Sequence, residues 1–303
     1  ISGKGALELL QFCLSNDISI LRNGEAQYNA LLNDSGGIVD DMILYKLSDE
    51  KFMLVVNASN IKKDWDYLLS KNTYGANMEN VSDQYSLLSI QGPKTLQSIQ
   101  ELTPHDLSTI SYYNFVVTKF AGQKNIIVSN TGYTGCGGFE IYCKNHQLIE
   151  IWDKIMLVGK NCNIKPIGLA ARDTLRLEMG FCLYGNELSD NITPIEAGLT
   201  WITKFSKKFN GYNILKEQKE NGVKKKLIGF ELIEKGIPRK DYEIYDEDQV
   251  KIGRVTSGTM SPSLGKAIGL GFVDNSYAKT NTIIYINIRN NLIKALIIKP
   301  PFK

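Results

Sequence analysis

The chain has 303 residues, 43% hydrophobic and 22% charged, a globular composition with enough apolar mass for two or three cores. A net charge of +3 is too small to argue for nucleic acid, and no run approaches the roughly 20 apolar residues of a membrane span. Five cysteines without a CxxC are expected as free thiols, and His105 and His146 lack neighbours at metal-ligand or triad spacing, so no metal is expected and acid–base work falls to carboxylates.

The opening ISGKGALELLQFCL has no secretory pattern and reads as the middle of a domain, with a helix over 4–15, so a preceding segment is expected to be missing. Short strands are predicted at 18–21 and 26–31 around Asn23-Gly24. Residues 36–45, GGIVDDMILY, follow: a Gly-Gly turn running into an apolar strand that carries Asp40 and Asp41. Strand residues alternate faces, so Asp41, Ile43 and Tyr45 share one and Asp40, Met42 and Leu44 the other. A buried carboxylate is costly and has either a partner or a task. A second strand, KFMLVVNA (51–58), lies beyond a turn at Ser48-Asp49-Glu50. A hairpin centred on residue 49 pairs Tyr45 with Met53, Ile43 with Val55 and Asp41 with Asn57, Cβ atoms roughly 5 Å apart. Asp41 thus gains an amide and a phenol. The face of Asp40 holds only aliphatic partners, which points to a structural role.

Ser59 is the expected cap of a helix over 61–70, in which Ile61, Trp65 and Leu68 recur at helical spacing. A strand over 81–90 and a helix over 93–102 come next, then strands at 114–120 and 125–129. The segment TGYTGCGGFE (131–140) opens into a strand rather than a helix, which argues against a dinucleotide loop. Tyr133 and Glu140 flank it as candidate ligand contacts, the alternative being a plain tight turn. Helices are predicted over 146–162 and 168–179. On the latter, Arg172 and Arg176 share a face; either a ligand carboxylate or Asp173 and Glu178 could satisfy them. Trp201, at the end of TPIEAGLTW, reads first as a core residue. Residues 203–226 are polar and lysine-rich, the expected domain boundary. The lysines read as a solvated face, or else as a landing zone for an acidic partner. Six strands from 227 to 298 predict a small all-β domain.

Taken in order, YNALLNDSGGIVDDMILY (28–45), VVNAS (55–59), GYTGCGGFE (132–140), GLAARDTLRLEMGFCLYGNE (168–187), TPIEAGLTW (193–201) and VTSGTMSPSLGKAIGLGFV (255–273) resemble the glycine cleavage system T-protein family, the aminomethyltransferases. The resemblance covers nearly the whole chain. It implies an α+β, three-domain cloverleaf around a central folate-binding hole, with residues 1–225 as the folate-binding catalytic region and 226–303 as a C-terminal β-barrel or jelly-roll-like domain. It also implies transfer of the methylene of an aminomethyl-lipoyl H-protein to tetrahydrofolate, with release of ammonia. The setting would be the cytoplasm, or the mitochondrial matrix in a eukaryote, with lipoylated H-protein and folate as partners and neither nucleic acid nor membrane. By motif match Asp41 is catalytic, and Tyr28, Ile43, Tyr45, Asn57, Tyr133, Glu140, Arg172 and Trp201 contact folate or substrate. Two alternatives share the architecture: a folate-dependent demethylase-type enzyme and a non-catalytic folate-binding protein. The chain departs from the family at Cys136, where an acid is usual, and it stops at PPFK, where relatives continue.

Overall fold

The computed structural model describes residues 1–302. Helix α1 (Ala6–Cys13) leads into strands β1 (Ala26–Leu32), β2 (Ile38–Ser48) and β3 (Lys51–Val55), an antiparallel sheet in the order β1-β2-β3. Helix α2 (Ile61–Lys71) returns across it. Leu9 and Leu10 of α1, Met42 and Leu44 of β2 and Leu68 of α2 close this first core. The Gly-Gly turn before β2 is sterically required. Gly36 has φ +77°, and a Cβ on Gly37 would sit 1.8 Å from the carbonyl oxygen of Asp190.

Strand β4 (Tyr85–Gln91), helix α3 (Thr95–Ile99), strands β5 (Phe115–Phe120), β6 (Gln123–Ser129) and β7 (Gly138–Lys144), and helix α4 (Leu148–Val158) make the second unit. Its antiparallel sheet has the order β4-β7-β6-β5, with Ile99 and Ile151 packing α3 and α4 against Val128 and Ile141. Helix α5 (Leu169–Glu178) then leads through irregular chain to α6 (Tyr212–Asn221). Strands β8 (Lys225–Leu232), β9 (Glu243–Tyr245), β10 (Lys251–Ser261), β11 (Lys266–Asp274), β12 (Ile283–Ile288) and β13 (Asn291–Ile298) close a barrel in the order β10-β11-β8-β13-β12-β9. The architecture is therefore mixed α and β with an all-β barrel at the C-terminal end.

Local expectations fail in three places. Residues 18–21 form a turn, closed by Leu21 N–H on the Ile18 carbonyl, with Ile18 buried and Ile20 exposed. Ser59 does not cap α2; it sits inside a 3₁₀ turn, Ala58–Asn60, that feeds the helix directly. The lysines of 203–226 do not all lie on a solvated face. The stretch holds α6, and Lys207 is drawn inward to donate to the carbonyls of Gln11 and Leu14 at 2.6 Å each, capping the end of α1.

Candidate active site

The β2–β3 register is the one the hairpin arithmetic gives, with Tyr45 opposite Met53 and Ile43 opposite Val55. Strand β3 ends at Val55, and Asn57 turns back over the strand beside it. Its Nδ2 lies 3.0 Å from Asp41 Oδ1, 3.2 Å from the Asp41 carbonyl oxygen and 2.8 Å from Asp40 Oδ1. One carboxamide therefore straddles both acids. From the other side, Ala30 pairs with Asp41, which makes Tyr28 a diagonal same-face neighbour. The Tyr28 hydroxyl donates to Asp41 Oδ2 at 2.9 Å, so both oxygens of Asp41 are held. Trp201 stacks on the Tyr28 ring, centroids 6.0 Å apart, and is 59% exposed, against the expectation of a core tryptophan.

Asp40 does not have the aliphatic surroundings expected of its face. It is wholly buried and accepts from the Asn57 backbone N–H at 3.2 Å and from Asn60 Nδ2 at 2.7 Å. The buried carboxyl of Asp64, on α2, lies near enough for Asp40 to raise its hold on a proton, burial being the larger cause. Sequence reasoning missed Asn60 and Asp64. A signal was present, because Asp64 interrupts the apolar stripe of Ile61, Trp65 and Leu68 on the face of α2 that meets the sheet.

These neighbours set the charge of the site. Burial, and secondly the charge of Asp40, raise Asp41 to about 6 against the hydrogen bonds from Tyr28 and Asn57. Burial, and then the Asp41 carboxylate, push the Tyr28 phenol well above its ordinary value. Asp41 is therefore ionised near neutral pH yet close enough to its midpoint to take a proton.

The Asp41 face of β2 runs on through Ile43 to Tyr45, about 13 Å along the strand. Tyr45 is wholly buried, and its hydroxyl turns away from Asp41 to lie 2.9 Å from that of Tyr142 and 3.2 Å from that of Thr131. Thr131 in turn donates to Glu140 Oε2 at 2.6 Å, with the Tyr142 hydroxyl at 3.4 Å. Ile43 and Tyr45 thus form an apolar partition with Phe115 and Ile127, an acid at either end.

The glycine segment carries Tyr133, whose hydroxyl donates to the carbonyl of Cys182 and whose ring stacks on Phe181 at 5.7 Å. The guanidinium of Arg172 lies 4.7 Å over the same ring. The two arginines of α5 part company. Arg172 is exposed, while Arg176 is buried against Asp173 at 2.7 Å and Glu187 at 3.0 Å. Its acid partners are thus Asp173 and Glu187, and Glu178 instead accepts from Ser261 at 2.5 Å. Two surface cavities, of about 450 Å³ beside Lys208 and Tyr212 and about 430 Å³ beside Gln218 and Lys226, are lined by none of these candidate residues.

Residues 1–207 match the family model described as the GCVT N-terminal domain, and residues 225–303 the glycine cleavage T-protein C-terminal barrel domain. The aminomethyltransferase of Flavobacterium psychrophilum is 56% identical over 302 residues, covering 100% of this chain and 84% of its own length. That of Phocaeicola vulgatus is 52% identical over 305 residues, with coverage of 100% and 84%. The crystal structure of glycine cleavage system aminomethyltransferase T from Bartonella henselae superposes with a TM-score of 0.89 at 29% identity, over 100% of this chain and 82% of that one. With both halves matched in order and the barrel where the second model puts it, the chain belongs to the glycine cleavage T-protein family.

Proposed function

We propose that this chain is a tetrahydrofolate-dependent aminomethyltransferase, taking the methylene of an aminomethyl-lipoyl H-protein and releasing ammonia, with Asp41 as its catalytic carboxylate. The observation that carries the reading is the state of Asp41: both oxygens held, by Tyr28 and Asn57, and acidity weakened to about 6.

The exposed chemistry suits a folate. A pterin edge is rich in N–H donors and calls for a carboxylate, which Glu140 offers with part of its surface open. The folate tail is anionic and calls for a cation such as exposed Arg172, steadied over Tyr133. Trp201 on Tyr28 supplies an aromatic platform. When bound, tetrahydrofolate supplies the amines that accept the methylene. The protein's own part is electrostatic and protonic. As ammonia leaves, positive charge develops on nitrogen, and a fixed carboxylate in a water-poor setting stabilises it far better than bulk water does. Asp41 can also take a proton at an oxygen whose orientation Tyr28 and Asn57 fix. Ile43 and Tyr45, with their apolar neighbours, keep water from the wall between the two acids.

The test is incubation of the protein with aminomethyl-lipoyl H-protein and tetrahydrofolate, scored for ammonia and methylene-tetrahydrofolate. Formation of both, dependent on both partners, is the expected result. Folate binding without ammonia release would assign the chain to a non-catalytic role.

A further inference from the structure

Asp64 is 2% exposed, and among the described residues no N–H or hydroxyl group reaches either of its carboxyl oxygens. The wholly buried carboxyl of Asp40 is the neighbour that, after burial itself, raises the proton affinity of Asp64. Two carboxyl groups share a hydrogen bond only when a proton lies between them. The division of labour is visible in their partners. Three N–H groups, the backbone N and Nδ2 of Asn57 and the Nδ2 of Asn60, converge on Asp40 and make it the acceptor. Asp64 has no such donors and is left to give the proton.

Resting on the reading that Asp41 is the catalytic carboxylate, we propose that Asp64 and Asp40 hold one proton between them, and that this pair is a positioning unit that locks Asn57 and, through it, the orientation and charge of Asp41. The charged and titratable groups around the unit are few. Asp41 faces it from β2, and Lys63 from α2 is engaged outward, at 2.5 Å from the Tyr184 hydroxyl and 3.4 Å from Asp190. Tyr28 from β1 faces Asp41 on its far side, with Tyr133 and Cys182 beyond. Burial, then Asp40, raises Asp64 to about 9, the direction of a carboxyl that keeps its proton at neutral pH. A second charge there would push Asp41 higher still and leave it protonated when a base is needed.

The test uses the full chain labelled with carboxyl-¹³C aspartate, together with the pH profile of kcat/KM. In the wild type one aspartate carboxyl is expected to remain protonated at pH 7 and to titrate above it. Asp64→Asn should abolish that signal. Because its amide still donates to Asp40 and leaves the charge unchanged, it should also recover most of the turnover that Asp64→Leu loses, about ten-fold. Asp40→Asn removes the charge beside Asp41 and should move the acid limb down by about one pH unit. The proposal is overturned if no carboxyl protonated at pH 7 disappears in Asp64→Asn, or if the acid limb of Asp40→Asn stays in place. The NMR signal does not depend on what Asp41 does. Full turnover by Asp41→Asn would remove the catalytic reading alone, and absence of the signal would remove the shared proton alone.

Discussion

Two of the places where the molecule buries charge treat it in opposite ways. At the seam between α5 and the barrel, Arg176 is sealed from solvent. It donates to Asp173 at 2.8 Å, Glu187 at 3.0 Å, the Phe181 carbonyl at 3.0 Å and Ser257 at 2.7 Å. Ser257 in turn donates its hydroxyl to Glu187 Oε1 at 2.7 Å. Arg176 thus faces two carboxylates, and its N–H groups meet acceptors on several sides. At the end of β2, Asp40, Asp41 and Asp64 are gathered with amides and a phenol but no cation in hydrogen-bonding contact. Desolvation is offset in the first place and left standing in the second. A compensated cluster holds the fold, whereas an uncompensated one stores altered proton affinity, which is what acid–base chemistry uses.

Breaking the first cluster should have the largest effect. Arg176→Met strands Glu187 in the interior and should cost about 3–5 kcal/mol, read from urea unfolding. Turnover per folded molecule should change less, since Arg176 makes no hydrogen bond to Asp41, Tyr28 or Asn57. A loss of under 1 kcal/mol would remove the contrast between the two clusters.

Asp41→Asn should do the reverse. Turnover should fall about 10²-fold or more, as expected when a positioned proton acceptor is removed. Stability should not fall with it. The folded protein binds a proton at Asp41 more tightly than the unfolded chain does, because the carboxyl is raised from 3.8 to about 6. That group's contribution is complete below the unfolded value and is lost as pH rises through about 6. At pH 7 the wild type carries this cost and the variant does not, so its urea midpoint should equal or exceed the wild type's. A variant that lost activity and stability together would make Asp41 structural. The same shift predicts that wild-type kcat/KM falls as pH drops through about 6, where Asp41 becomes protonated. An acid limb near 4 would mean that some other group limits the rate.

The parts of this arrangement that were readable from residues alone are those set by local periodicity. The hairpin register follows from a two-residue repeat on either side of a short turn, so Asp41, Asn57, Ile43 and Tyr45 could be placed near one another by counting. What counting could not supply was where a strand stops. Because β3 ends at Val55, Asn57 swings over both acids instead of sitting opposite one. Asp64 was missed because its meaning depends on how α2 docks on the sheet, which is a tertiary fact. The α5 arginines show the same limit. Helical spacing puts Arg172 and Arg176 on one face, yet only one is buried, by Ser257 from a barrel strand 81 residues away. Glu140, Tyr133, Arg172 and Trp201 entered as candidates through their motifs, and their geometry followed only from the fold.

Trp201 sits at the rim of the uncompensated cluster, and its loss should be felt least. The indole is 59% exposed and rests on Tyr28, itself the hydroxyl that holds Asp41. Exposed side chains outside special contacts change stability by no more than about 0.5 kcal/mol, so Trp201→Ala should unfold at nearly the wild-type urea concentration. If the ring is half of a stacking platform for folate, its removal costs about 0.5–1.5 kcal/mol of binding, a three- to ten-fold rise in Kd read by calorimetry with tetrahydrofolate. The chemical step should be spared at saturating folate, because Tyr28 keeps its bond to Asp41. A fall in kcat with Kd unchanged would mean that the tryptophan acts on Tyr28, extending the uncompensated cluster by one residue. No change in either would leave the indole outside the site.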